Sequence, residues 1–252
     1  MNKSGARRAV LAAAAVITAL GLTAGCGGDS GDGKSDSAKS GGKNGDKAAS
    51  SAPAAQPLSA SALQRAALAK GEVKGFEIQK MTEKEFSDGG EAKAAKPACQ
   101  PLAALMGSRF DPAPKAGVYR MYAGSGSAAK VGGSGLFRVS SYGPGDAEKT
   151  VKDIRDAVTA CQDGFEAKDG SGEKSDVAKV SSLDAPKLGD EAVAYSLLDG
   201  GKEKAVIKFT VVRSGPQLTV FFGVNLADPT TSEIPQELLS AQVAKVEKAA
   251  RS

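Results

Sequence analysis

Histidine and tryptophan are absent from the 252 residues, cysteine occurs three times, and the aromatic residues are four Tyr and eight Phe. Without imidazole the chain has no Ser-His-Asp or Cys-His relay, no His-ligated zinc and no histidine switch near neutral pH. Chemistry run by carboxylates, Lys or Tyr survives this count. With 41% apolar residues and so few rings, a core must be built of Val, Leu, Ile and Ala. The charges nearly balance, 33 Lys and Arg against 29 Asp and Glu. No basic stripe interleaved with aromatics is present, so nucleic-acid binding has no support.

Long apolar runs are also missing. Ala9 to Leu22 is an apolar run without one charge, behind Lys3, Arg7 and Arg8. As a helix its fourteen residues span roughly 21 Å, short of the ~30 Å hydrocarbon core of a bilayer. A cleaved signal peptide over residues 1–25 is therefore a better reading than a permanent anchor helix. Leu22-Thr23-Ala24-Gly25-Cys26 follows directly and resembles the bacterial lipobox, with Thr23 where Leu is commonest. The resemblance implies cleavage before Cys26 and alkylation of its thiol by diacylglycerol. Several acyl chains would then hold the protein on the outer face of a membrane, where a single chain holds only marginally. Arg7-Arg8 leaves open whether export follows the general or the twin-arginine route.

Residues 26–57 read as a tether. Nineteen of the 31 positions from Gly27 to Pro57 are Gly, Ser or Ala, four Lys face four Asp, and no large apolar residue occurs. Such a segment buries too little surface to offset its ordering entropy. Its root-mean-square reach is roughly 30 Å. Removing Lys3, Arg7 and Arg8 with the signal peptide leaves 30 basic against 29 acidic residues, so the mature protein is close to neutral.

Residues 58–252 are expected to form one α+β domain with a mainly antiparallel sheet packed by helices. Ser59 or Ser61 caps a helix of good formers from Ala62 to Lys70, with Gly71 placed to stop it. Strands are predicted at 73–81, 118–122, 135–142, 177–183, 191–198, 205–213 and 217–226, with a loop over 87–97 and a short helix at 102–106. Ala147, Val151, Ile154, Val158 and Cys161 step by 4, 3, 4 and 3, the stripe of an amphipathic helix. Ala205, Ile207, Phe209 and Val211 alternate, as do Leu218, Val220, Phe222, Val224 and Leu226, and Ser214-Gly215-Pro216 joins these two strands as a hairpin. A closing helix carries Leu239, Val243, Val246 and Ala250. No repeat is present.

Once Cys26 is lipidated, Cys99 and Cys161 remain. In an exported domain they favour a structural disulfide over free thiols, and a redox couple would call for the absent Cys-x-x-Cys spacing. Gly124, Gly126, Gly132, Gly133 and Gly135 lack the Gly-Lys-Ser/Thr ending of a phosphate loop, so a hairpin loop is the better reading. Gly189-Asp190-Glu191 offers two acids in a turn, too few for calcium. Tyr119, Tyr122, Tyr142 and Phe137 are expected in the core, where each phenol needs a partner. No catalytic residue, cofactor or metal is expected.

Leu58 to Leu63 leading into Gly71-Glu72-Val73-Lys74-Gly75-Phe76, then Cys161-Gln162-Asp163-Gly164-Phe165, then Leu188-Gly189-Asp190-Glu191-Ala192 before paired strands and a closing helix form a pattern. It is similar to the extracellular sensor domain of actinobacterial PknH-type serine/threonine kinases and of lipoproteins carrying that domain. The resemblance implies an α+β fold with a cleft for a ligand. The chain contains no kinase sequence of its own, so signalling would need a partner. Three classes compete on this basis: a lipid-anchored binding or sensor-like domain, an envelope accessory protein of a membrane complex, and a His-independent enzyme. The first fits best. Its partners would be the membrane, through diacylglyceryl on Cys26, and a small ligand or a membrane protein.

Overall fold

A computed structural model describes residues 56–88, 90–125 and 133–252. The expected signal peptide, Cys26, nearly all of the expected tether, Gly126 and Gly132 lie outside the described residues. The elements run α1 (Ala60–Ala66), β1 (Phe76–Met81), α2 (Glu83–Ser87), β2 (Lys93–Ala94), a 3-10 turn (Pro97–Cys99), α3 (Gln100–Met106), β3 (Ala116–Gly124), β4 (Ser134–Ser141), α4 (Asp146–Ala160), β5 (Phe165–Lys168), β6 (Lys174–Leu183), β7 (Glu191–Asp199), β8 (Val206–Ser214), β9 (Gln217–Val224) and α5 (Gln236–Ala250). The nine strands form one sheet in the order β1-β3-β4-β9-β8-β7-β6-β5-β2, and every pairing is antiparallel. The fold is α+β, as expected.

Helices cover opposite faces at opposite ends of this sheet. On one face α3 and α4 bury a core that includes Val151, Ile154, Tyr195, Leu197, Phe209, Val211 and Val220. On the other, α1 and α5 enclose Leu63, Phe76, Val118, Phe137, Val139, Phe221, Leu239 and Val243. The stripe predicted for α4 is the buried one, with Cys161 at the C-cap also buried. Strand β9 is covered on both faces, because Leu218 and Val220 meet the α4 side while Phe221 meets the α1/α5 side. The alternation read from the sequence was therefore only half of its burial. The turn Gly215-Pro216 closes the β8–β9 hairpin, with Ser214 paired to Gln217.

Several boundaries differ from the sequence expectations, each for a physical reason. Ser59 is the cap of α1, its side chain accepting from Ala62 N at 3.3 Å. The helix stops at Ala66, four residues before the predicted end, because Gln242 of α5 takes over the hydrogen bonding of its end. Strand β9 ends at Val224, and Leu226 is 83% exposed. There Asn225 Oδ1 accepts from the backbone N–H groups of Ala227 and Asp228, turning the chain away. Helix α2 was not expected; Thr82 and Glu85 build a capping box that holds it. Strand β2 lies within the predicted 87–97 loop and pairs with β5, whose four residues were also unassigned.

Candidate binding site

Cys99 and Cys161 are bonded to each other, with 5.9 Å between their Cα atoms. Pro97 at the start of the 3-10 turn and the C-terminal end of α4 bring them together, and both are buried.

The two acids of Gly189-Asp190-Glu191 are engaged by arginines. Arg213 Nε donates to Glu191 Oε1 at 2.6 Å, and its Nη1 reaches Asp190 at 3.0 Å and Glu148 at 3.2 Å. Arg155 on α4 closes the cluster on Glu191 Oε2 at 2.9 Å. Gly189 sits at φ +65°, and a Cβ there would come within 2.2 Å of the Arg213 carbonyl oxygen, so this turn accepts only glycine. The motif is thus a clamp joining α4, β7 and β8. Burial acts to raise the Glu191 pKa, but hydrogen bonds from Arg155 and Arg213, with their charges, outweigh it and the pKa is lowered. A carboxyl depressed below its unfolded value of about 4.3 stabilises the fold above that pH and loses its contribution as pH falls through the folded pKa. Urea unfolding at pH 6 and at pH 3 is expected to show a larger midpoint drop for the natural protein than for Glu191→Gln.

At the described end of the glycine-rich stretch the glycine has a packing role. A Cβ on Gly135 would meet the Phe222 carbonyl oxygen at 1.9 Å, so this glycine permits the close β4–β9 approach. The four aromatic candidates separate onto the two faces. Tyr122 and Phe137 belong to the α1/α5 core, where Phe137 stacks on Phe221 and Tyr122 Oη donates to the Phe222 carbonyl at 3.2 Å. Tyr119 and Tyr142 lie on the other face, and what they flank was not visible in the sequence.

That residue is Arg138. The register sets Tyr119 of β3 and Val220 of β9 on either side of it. Its guanidinium carbon lies 3.2 Å from the centre of the Phe110 ring, and Phe86 of α2 stacks on Tyr119 at 4.0 Å, so an aromatic cover closes over the cation. Arg138 is 2% exposed, and no ion pair reaches it among the described residues. Nε and Nη2 have no hydrogen-bond partner, nor do Ser140 Oγ and the hydroxyls of Tyr142 and Tyr195. Burial pushes the Arg138 pKa down to about 10 while the Tyr142, Tyr119 and Tyr195 phenols act to raise it, so it stays cationic at neutral pH. Burial likewise pushes the Tyr142 and Tyr195 phenols up, opposed by the charge of Arg138.

No family model and no curated protein sequence matches the chain. Among solved structures, the extracellular domain of PknH from Mycobacterium tuberculosis aligns with a TM-score of 0.52 at 11% identity, covering 79% of this chain and 100% of that one. The two share a fold. An uncharacterised protein from Mycobacterium smegmatis aligns at a TM-score of 0.39 and 17% identity, over 71% of this chain and 91% of that one. The likeness to the PknH domain is one of architecture, and the site residues are read from this chain alone.

Two open grooves lie beside α2 and α3. One of about 910 Å³ is lined by Glu83, Lys93, Arg109, Lys168 and Asp169 among others. Its charges offset each other, and Asp169 is occupied by its own loop, accepting from Ser171 and Glu173. The other, about 500 Å³, is lined by Glu91, Gln100, Arg109, Asp111, Lys149 and Asp153, with Lys149 paired to Asp153, and has Phe110 in its wall. Phe110 thus touches both the groove and Arg138. Among the described residues no group of three or more His, Cys, Asp or Glu is placed to hold a metal.

An unpaired buried cation is a cost to the fold. In buffer free of carboxylate and phosphate, with chloride as the anion, Arg138→Met is expected to raise stability by about 1–2 kcal/mol, since an apolar side chain of similar length removes the desolvated charge while losing the stacking on Phe110. Denaturant titration of the two proteins reads this directly.

Proposed function

We propose that the chain is a lipid-anchored extracytoplasmic protein whose folded domain binds a ligand without transforming it, as a sensor-like module. The observation that carries the binding half is Arg138, a fixed cation with two unsatisfied N–H donors beneath an aromatic cover. Buried polar groups in proteins are ordinarily hydrogen-bonded, and an exception calls for a ligand, ion or water. The fold shared with an extracellular domain supports the same reading. The absence of histidine weighs against an enzymatic reading.

The anchoring half rests on the ordered sequence of basic start, apolar run, small residues and Cys26. Diacylglyceryl on Cys26 ties the protein to the membrane, and the tether lets the domain stand roughly 30 Å off the lipid surface. No helix among the described residues is long and apolar enough to cross a membrane. Cys26→Ala is expected to shift the protein from the membrane fraction to the culture medium; retention of the variant in the membrane would sink the anchor. For the binding half, thermal-shift screening against cell-wall fragments, sugars, lipids and metals should find a stabilising ligand.

A second reading, an accessory protein of a membrane complex, is favoured by an apolar groove of about 340 Å³ lined by Met121, Leu136, Val224 and Leu226, where Met121 is 43% exposed. Silence across the ligand panel, with a membrane protein recovered by cross-linking through this groove, would establish it instead.

A further inference from the structure

Two arginines on neighbouring strands are equally buried and are treated in opposite ways. Arg120, 1% exposed, faces the α1 side and has a partner for each nitrogen: Nε donates to the Leu68 carbonyl at 3.1 Å, Nη1 to the Tyr119 carbonyl at 2.9 Å and Nη2 to Gln64 Oε1 at 3.1 Å. Three neutral acceptors are what this fold supplies when an arginine is purely structural. Arg138, on the other face, has neither acceptor nor carboxylate for Nε and Nη2. These two nitrogens share one edge of the guanidinium plane, and their parallel N–H bonds form the fork that a carboxylate or phosphate accepts in bidentate fashion. The unpartnered groups near it are hydroxyls, Ser140 Oγ and the Tyr142 and Tyr195 phenols, each able to donate to an anion.

We infer that Arg138 is an oxyanion-binding residue: a small carboxylate or phosphate group docks on its Nε–Nη2 edge beneath the Phe110 ring, with the Tyr142 and Tyr195 hydroxyls donating to it. This rests on the binding-domain reading above and gives it a ligand class. The anion supplies the charge and the acceptors that the chain withholds, and Phe110 stands between the guanidinium and the open groove beside α3 and Lys149. The Phe110 face stacks on the guanidinium without competing for its edge, so ring and anion engage it together.

The test is thermal unfolding of the full chain in chloride buffer at constant ionic strength, titrated with sodium acetate and, separately, with inorganic phosphate. The same titrations are run on Arg138→Gln and Tyr142→Phe. Expected is a saturable rise in Tm with at least one probe, abolished in Arg138→Gln and shifted about tenfold to higher concentration in Tyr142→Phe. A response to acetate alone identifies a carboxylate ligand, and a response to phosphate alone a phosphorylated one. No saturable rise with either probe would overturn the inference. An equal rise in Arg138→Gln would overturn it too. Should Arg138→Gln fail to fold, Tyr142→Phe decides, since it keeps the buried ring and removes one donor; an unshifted midpoint overturns the site. An uncharged sugar or lipid that stabilises the natural protein and Arg138→Gln alike would remove Arg138 from recognition while leaving the domain a binder.

Discussion

Removing the Cys99–Cys161 bond is expected to lower stability by about 4 kcal/mol. The bond closes a chain separation of 62 residues, so cutting it returns a long loop's worth of freedom to the unfolded chain. It also joins the lead-in of α3 to the end of α4, the two helices that roof the Arg138 face. Neither cysteine is reachable in the folded state, with exposures of 0% and 1%, so reductant is expected to act through unfolding and not on the native bond. Measured by calorimetry in a Cys26→Ala background, the Cys99→Ala/Cys161→Ala variant should melt roughly 10 °C lower. Its melting point should be indifferent to reductant. A natural protein whose melting point is the same with and without reductant, after full reduction is verified by thiol labelling, would remove the bond from the stability account.

The second large effect is expected at Gln242. This side chain is fully buried in α5, where its Oε1 accepts from Leu68 N and its Nε2 donates to the Ala66 carbonyl, both at 2.8 Å. It completes the end of α1 from the opposite end of the domain sequence. Gln242→Leu preserves the volume and removes both bonds, leaving a buried N–H and a buried carbonyl without partners. Each such orphan costs about 1–3 kcal/mol, so a loss of about 3 kcal/mol is expected. In urea unfolding the midpoint should fall with the slope unchanged, since the same surface is exposed. Lys245 reinforces this junction, donating to the Ala67 carbonyl at 3.1 Å and pairing with Glu72 at 2.8 Å. The hydrogen bond from Lys245 leads the lowering of the Glu72 pKa, against burial, which acts to raise it. The Gln242 variant should therefore soften the α1 end while α4 and its disulfide keep their protection in hydrogen exchange.

Features carried by near neighbours in the chain were legible in advance. The 4, 3, 4, 3 stepping of Ala147 to Cys161 places one face of α4 inward because a helix turns every 3.6 residues whatever it packs against. Gly215-Pro216 between two alternating runs gives the β8–β9 hairpin for a similarly local reason. With Cys26 assigned to lipid, the other two cysteines have only each other. The lipobox is likewise a local string, and it remains a matter for the Cys26→Ala experiment.

What escaped the sequence depends on contacts between distant segments. The end of α1 is set by a glutamine 174 residues beyond Leu68, overriding the helix propensity of Ala67 to Lys70. Strands β2 and β5 are short and acquire their identity from pairing, β2 with β5 and β5 with β6, which no periodicity signals. The clearest case is Arg138. As a residue in an alternating strand it reads as a solvent-facing position, yet the strand order puts β9 beside β4 and the α2 and α3 segments over it. Phe110, Tyr119, Tyr142 and Tyr195 reach it from separate elements, and only their convergence makes a buried, unpaired cation.

The sequence by itself determined the α+β class and the exclusion of imidazole chemistry, because composition and local pattern suffice for these. The tertiary structure alone decided that α1 stops early, that β9 is buried on both faces, and that one of two buried arginines is left with its N–H edge open. Burial and hydrogen-bond satisfaction are properties of what packs around a residue, and the neighbours of Arg138 are set by strand pairing across some eighty residues, from Arg138 to Val220.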